Sequence, residues 1–220
     1  EQAILSAAAP MLKMMPEMAG MVYASVTMSQ LRLNRWDDNL AVPKPRAGDP
    51  LSESLWHYAR AMSFAMKGRG ADAQQEQGEF NTVRVKLDAN MPLGQHKAAP
   101  VLEMAGMVLD ARLAATPDER ITLLKKAVKM QDSFVYDEPP AWYYPVRESL
   151  GAAMLQAGDA PGAETVFREG VGRSPMNGRM LFGLIASLKA QNKSAAAAMV
   201  QKEFEVAWKG ADLNLKIEEF

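Results

Sequence analysis

The chain has 220 residues, of which 48% are hydrophobic and 23% are charged, a composition typical of a folded globular protein. Its 25 lysine and arginine residues nearly balance 26 aspartate and glutamate residues, so the net charge of −1 excludes a long-range positive field that would attract nucleic acid or an anionic membrane. The absence of cysteine excludes disulfides, thiolate metal sites and cysteine nucleophiles.

The first residue and the apolar runs of the sequence are informative about membrane insertion and cellular compartment. No stretch approaches the roughly 18–20 uninterrupted apolar residues of a membrane-spanning helix, so we expect a soluble chain without membrane insertion. The sequence begins with Glu1 rather than Met, which indicates a processed or truncated product. A cytoplasmic location and export after removal of a signal peptide both stay open.

Apolar residues recur at helical spacing almost throughout, and no convincing alternation of β-branched residues is present, which predicts an all-α protein. Helices of roughly 12–20 residues are expected between the turn-forming residues. In chain order, these turns lie at Pro10 and Pro16, Pro43 to Pro50, Asn90 to Gly94, Thr116-Pro117, Pro139-Pro140, Gly158 to Pro161, and Ser174 to Gly178.

Three helix starts carry capping signals. The run Thr116-Pro117-Asp118-Glu119 offers a capping hydroxyl, a proline in the first turn and a glutamate that can close a capping box, which predicts a helix over about 117–132. Ser52 and Ser54 are expected to cap a helix in a similar way, and Asp159 is expected to cap the helix that follows it.

One series of residues recurs at fixed offsets. Its clearest copy, within 138–175, consists of Leu150-Gly151, Gly158, Ala163, Phe167 and Pro175. A second copy contains Trp56, Phe64, Gly68 and Ala73, with the same step from the turn glycine to the small residue. In weaker copies the turn glycine is replaced by Asn34, Thr116-Pro117 and Asn192.

This series resembles the tetratricopeptide repeat (TPR), a 34-residue helix–turn–helix unit. The phrases YDEPPAWYYPVRESLGAAML, LWHYARAM and LNRWDDNLAVPKP look like the closing part of a bacterial group of TPR proteins with no assigned reaction, over most of residues 20–210. Members of that group carry further repeats with a His-Met-Pro-Ser-His stretch, which this chain lacks. The resemblance therefore implies the C-terminal part of a longer protein.

The resemblance implies an all-α, right-handed α-α solenoid of about four to five repeats, in which small residues let helices approach and an aromatic residue fills the gap between units. We expect one domain over 1–220. Its clearest repeats would cover about 52–85 and 141–175, its weaker units 18–42, 98–133 and 177–208, and its capping tail 209–220. The tail and the last helix would cover the final unit through Phe204, Trp208, Leu213, Leu215 and Phe220.

The resemblance further implies a protein–protein interaction scaffold that binds a peptide or a partner helix on its concave face. In this repeat class the first helix of each unit lines that face, and the expected ligand-contacting positions are Tyr58, Ala59, Met62, Met66, Glu148, Ala152, Leu155 and Gln156. Such a groove is mostly apolar and favours a hydrophobic or amphipathic segment. Packing of Met62 and Met66 against the next unit is an equal alternative.

The aromatic stretch before the clearest repeat has two interpretations. Five residues would lie at and just inside the first helix, with Glu138 close by in the loop before it: Tyr136, Trp142, Tyr143, Tyr144 and Arg147. They would form a recognition patch, because aromatic residues and arginine dominate many interfaces. Alternatively the rings cover the long connection after Ser133, stiffened by its prolines.

Two other functions stay open. An enzyme or small-molecule binder could use His57, Glu138, Tyr143 and Arg147 in a pocket between repeats, although His57 is also typical of a structural histidine. The repeats could instead be an assembly module that forms a homodimer or caps a larger protein. We expect no cofactor and no metal, since His57 and His96 lack zinc spacing and the methionines at 11, 14, 18 and 21 suit a packed helix face better than copper(I).

Overall fold

The computed structural model describes residues 19–138 and 140–220. Helices account for most of these residues, so the all-α prediction is confirmed. The ten α-helices of the described residues are α1 (Ala19–Arg32), α2 (Trp36–Leu40), α3 (Pro50–Met66), α4 (Gly70–Arg84), α5 (Ala98–Leu113), α6 (Pro117–Asp132), α7 (Arg147–Gln156), α8 (Ala160–Arg173), α9 (Gly178–Ala190) and α10 (Ser194–Ala207). A 3-10 turn follows at Ile217–Glu219.

A small hairpin precedes α5. Strands β1 (Pro92–Leu93) and β2 (His96–Lys97) pair antiparallel, with Leu93 opposite His96. Gly94 has a φ of 62° and supplies the left-handed backbone that the tight turn requires. The sequence predicts only a turn here, because strands of two residues are too short to show alternation.

The chain divides into two compact units. The first comprises the described residues as far as Leu113 together with Phe134–Tyr143, and the second comprises Ala114–Ser133 and Tyr144–Phe220. Helix α5 thus belongs to the first unit and α6 to the second. The aromatic stretch is divided in the same way, because its first part belongs to the first unit and Tyr144 and Arg147 belong to the second.

Four helix connections share one backbone geometry. The residue with positive φ is Asn34 (56°), Gly68 (72°), Gly158 (87°) or Asn192 (60°). In each case its N–H donates to the carbonyl three residues back, and the next N–H donates to the carbonyl five residues back, which is the Schellman motif. Asn34 and Gly68 lie 34 positions apart, as do Gly158 and Asn192. The predicted replacement of the turn glycine by asparagine is confirmed, because asparagine tolerates the left-handed region.

The capping predictions are confirmed at two of three helix starts. Thr116 Oγ1 accepts a hydrogen bond from the Glu119 N–H at 3.2 Å, and Asp159 accepts one from the Gly162 N–H at 2.9 Å. The prediction for Ser52 and Ser54 is wrong, since both lie inside α3. Asp49 caps this helix and accepts from the Ser52 N–H at 3.0 Å, because an aspartate before the proline at the first position is the stronger start signal.

The core of the second unit includes a tight joint at Phe167. This ring is fully buried between α7 and α9, where Gly151 and Gly183 face it. A Cβ at Gly151 would lie 2.6 Å from a ring carbon, and a Cβ at Gly183 would overlap the ring more severely. Here, as predicted, small residues let two helices lie close together and an aromatic ring fills the space between them.

Candidate partner-binding site

The expected groove residue Ala59 of α3 is fully buried, so the prediction that it is exposed is wrong, and three further expected groove residues lie on the same helix in the first unit. Tyr58 is fully buried, so the prediction that it is an exposed position is wrong. Its ring packs against Phe80, with centroids 6.0 Å apart, and edge-on against Trp142 at 5.2 Å. Met62 is also buried, and Met66 is half-buried. Of the three, Met66 offers the most surface to a partner.

The segment 134–143 folds onto the first unit rather than starting α7. Trp142 is buried on Tyr58, and Tyr143 is half-buried beside Trp142 with ring centroids 5.0 Å apart. The Gln95 N–H also donates to the Asp137 carboxylate at 2.8 Å. The expectation that these rings lie at and inside the helix is wrong, because α7 begins only at Arg147, after Pro145.

The first part of this segment is largely exposed, and Val135 is 63% exposed. Tyr136 is 79% exposed, and Glu138 is also exposed. The Glu138 carboxylate accepts a hydrogen bond from the Tyr136 phenol, which raises the pKa of Tyr136. The stretch therefore combines a packed end at Trp142 with an exposed pair at Tyr136 and Glu138.

Arg147 makes a bidentate ion pair with Asp132 within the second unit. Its two terminal nitrogens donate to the two carboxylate oxygens of Asp132, at 2.6 and 2.7 Å, and its side chain is buried. The hydrogen bonds from Arg147 lower the pKa of Asp132, in spite of partial desolvation that acts in the opposite direction. This geometry ties the end of α6 to the start of α7 and commits the guanidinium group to an internal partner.

His57 belongs to a buried charged cluster in the first unit. Its Nδ1 lies 2.6 Å from the Glu76 carboxylate, which also accepts from Arg60 Nε at 2.6 Å. Burial raises the pKa of Glu76, but the hydrogen bonds from His57 and Arg60 outweigh it and lower the pKa overall. The other ring nitrogen, Nε2, is buried and 3.8 Å from Glu53, with no hydrogen-bond partner. A substrate therefore has no open path to this nitrogen.

The remaining candidates do not form a metal site within the part of the chain that the structure describes. There, no group of three or more histidine, aspartate or glutamate side chains is placed to hold a metal ion. His96 packs against Phe134, with ring centroids 5.1 Å apart. Met11, Met14, Met18 and the side chain of Met21 lie outside the described residues.

The end of α7, at Leu155 and Gln156, contacts the C-terminal residues, a contact that the sequence did not predict. Leu155 is half-buried near the end of α7, and the next residue, Gln156, donates from Nε2 to the backbone carbonyl of Ile217 at 3.2 Å. We call residues 209–220 the tail segment. It contacts Trp208 just after α10, Phe182 on α9 and the surface of α7. That it caps the last repeat unit stays a prediction.

Burial alternates along the tail segment. Its backbone has no regular secondary structure over 211–216. Leu213, Leu215 and Ile217 are half-buried, whereas the residues between them and after them are exposed, at 214, 216 and 218. Such alternation places every second side chain on one face. The Leu-x-Leu-x-Ile spacing is the signal from which this extended segment could have been found.

Phe220 anchors the far end of the tail segment. Its side chain is buried, its ring centroid lies 5.9 Å from that of Phe182 on α9, and the Arg179 guanidinium lies 5.1 Å from the ring centroid. Near the start of the segment, Trp208 Nε1 donates to the Leu213 carbonyl at 3.0 Å. The second unit therefore holds the tail segment through aromatic contacts at Phe220 and through side-chain hydrogen bonds to the backbone carbonyls of Leu213 and Ile217.

No protein-family model, no curated protein and no solved structure matches this chain. None of the helices in the described ranges is both long and apolar enough to cross a membrane.

The surface of α7 and α9 beneath the tail segment is the candidate site with the most direct geometric support, since it is the surface on which a peptide segment is seen.

Proposed function

We propose that this chain is a TPR-like α-solenoid scaffold that binds an extended segment of a partner protein on the face formed by the first helices of its repeats. Four Schellman turns with a common hydrogen-bonding pattern support the repeat, and two pairs of them have the 34-residue spacing of this class. The repeat units join through small residues and an aromatic filler, as at Phe167.

The observation that carries the proposal is the position of the tail segment. It lies against α7 and α9, the first helices of the repeats proposed at 141–175 and 177–208. A face that holds one extended segment has the shape and the apolar contacts to hold another. Main-chain hydrogen bonds provide affinity and side-chain pockets provide specificity in this mode of recognition.

The chemistry of the face indicates the class of partner. Its described contacts with the tail segment include an aromatic ring at Phe182, a guanidinium at Arg179 and an amide at Gln156. These groups suit a hydrophobic segment with an aromatic anchor more than a highly charged tail. We therefore propose a protein or peptide partner and not a nucleic acid.

A peptide-library selection tests the proposal. The purified full chain would be screened against random peptides displayed on phage, and enriched peptides would be measured against two variants. Leu155→Asp places a charge on the proposed face, whereas Thr165→Asp places the same charge on an exposed position of α8. We expect apolar peptides with an aromatic residue, which lose binding only in Leu155→Asp.

A selection that yields no peptides, or peptides that bind both variants equally, would contradict the proposed face. Far-UV circular dichroism and melting temperature of each variant provide the folding control. A peptide that binds the Thr165→Asp chain poorly and the Leu155→Asp chain well would place the site on the second helices instead.

A further inference from the structure

We infer that the tail segment is an internal competitor for the proposed site, so that a partner binds the α7–α9 face only when residues 211–220 leave it. This inference rests on the proposed function and adds its regulation and the chemistry of the competing segment. That segment would have aliphatic side chains at alternate positions, followed by an aromatic residue, as in Leu213, Leu215, Ile217 and Phe220.

The first support is that the tail segment resembles a bound ligand more than a repeat helix. It has no regular secondary structure from Ala211 to Lys216, and Leu213, Leu215 and Ile217 are less exposed than the residues between them. Its described contacts with the first helices include the Gln156 hydrogen bond, the Phe220 ring on Phe182 and the Arg179 guanidinium on the same ring. A helix that only closed the solenoid would instead continue the stack with its own amphipathic face.

The second support is a hinge at the start of the segment. Helix α10 ends at Ala207, and Gly210 has a φ of 80° with no atom near enough to meet an added Cβ. A left-handed glycine lets the chain turn back over α9 without steric cost. A rotation at this exposed turn is the backbone change by which we expect the tail segment to leave the face.

The third support is the anchor itself. Phe220 is buried, although it follows three residues that alternate between exposed and half-buried. Its ring lies beneath Arg179, whose side chain is also buried. Loss of one aromatic anchor with its cation–π contact removes a large part of the attachment of such a short segment.

The arithmetic of competition gives the expected effect. A segment joined by a short flexible linker acts at an effective concentration on the order of millimolar. The apparent dissociation constant of a competing peptide rises by the reciprocal of the open fraction, so a tail that is bound about nine-tenths of the time weakens a competitor about tenfold.

The experiment uses the full chain and a probe made from its own sequence. A fluorescein-labelled peptide of residues 211–220 would be titrated with the wild-type chain, Phe220→Asp and Leu215→Asp, and binding followed by fluorescence anisotropy. Asn214→Asp is the matched control, because it adds the same charge at an exposed position of the tail segment. We expect binding about tenfold tighter to Phe220→Asp and Leu215→Asp than to wild type and Asn214→Asp.

A labelled peptide in which the phenylalanine is replaced by alanine should bind the two released variants at least several-fold more weakly, which ties the binding to the aromatic pocket. Circular dichroism confirms that each variant is folded, and the second released variant replaces the first if one of them is not. Equal affinity for wild type and released variants would overturn the inference but leave the scaffold proposal intact. Absence of binding to the folded released variants would also overturn it, and the library selection then decides the scaffold proposal independently.

Discussion

The joint at Phe167 in the second unit and the joint at Phe80 in the first unit follow the same turn but are filled differently. Both begin with a Schellman turn and a fully buried alanine, Ala163 in one and Ala73 in the other. In the second unit the fully buried ring of Phe167 faces two glycines. Neither glycine has a side chain that could move into the space left by a removed ring.

In the first unit, different residues fill the space between the helices, and their contacts are less tight. Gln77 occupies the position that corresponds to Phe167, and its side-chain amide donates to Asp110 at 2.7 Å. The aromatic ring appears one turn later at Phe80, where a Cβ on Gly106 would lie at an ordinary 3.5 Å. The turn thus sets the register of the two helices, whereas the filler depends on which residues face it.

The largest expected effect is the removal of either ring. Phe167→Ala should lower the free energy of unfolding by about 4–5 kcal/mol and Phe80→Ala by about 3–4 kcal/mol, because glycines cannot fill a cavity but flexible neighbours such as Arg84 can partly do so. Urea denaturation of both variants measures the difference. A larger loss for Phe80→Ala would show that the glycine-lined joint is not the more rigid one.

Addition of one methyl group should change the free energy of unfolding in opposite directions at the two joints. Gly183→Ala overlaps the Phe167 ring and should cost about 1–3 kcal/mol. Gly106→Ala meets only ordinary contacts in the middle of α5 and should gain up to about 1 kcal/mol from helix propensity. Gly172→Ala in α8 has open space and serves as a control for propensity alone. Thermal melts would contradict the comparison if Gly183→Ala were neutral.

The shared turns can be tested apart from the fillers. Gly158→Ala forces a side chain into the left-handed region and should cost about 1–2 kcal/mol, even though no atom lies near the new Cβ. Asn192→Gly should gain a few tenths of a kcal/mol, because it removes the milder strain of asparagine. Chemical denaturation of the two variants measures both changes, and equal and opposite magnitudes would argue against this ordering.

The smallest loss of stability that we expect concerns Glu164, a carboxylate on α8, the helix that also carries Phe167. Hydrogen bonds from Lys193 and Arg168 lower the pKa of Glu164 to about 2, helped by Gln191 and opposed by desolvation. Because the folded-state pKa lies below the usual 4.5, the stabilisation is present above about pH 4.5 and is lost as the pH falls towards 2. The ion-pairing partners are about half exposed, so we expect Glu164→Gln to cost no more than about 1 kcal/mol at pH 7.

The stability of wild type and Glu164→Gln would be compared between pH 7 and pH 2. The two curves should converge at acid pH. A difference that stayed constant across this range would show that the variant acts through packing and not through the charge.

Local interactions explain what the sequence by itself determined. The helix over 117–132, the cap at Asp159 and the asparagine turns at 34 and 192 depend on residues within one helical turn of each other, so their pattern can be read directly from the chain. The filler role of Phe167 was also predictable, because its spacing from the turn glycine marks the inward face of α8.

Contacts between distant residues were decided only by the tertiary structure. Tyr58 lost its predicted place at the surface because a segment more than 80 positions away, carrying Trp142, folds over it. Arg147 is paired with Asp132, on the preceding helix, and Ile217 with Gln156, 61 positions earlier in the chain. No local pattern encodes such partners, since each depends on the packing of whole helices and on where the chain turns back at Gly210.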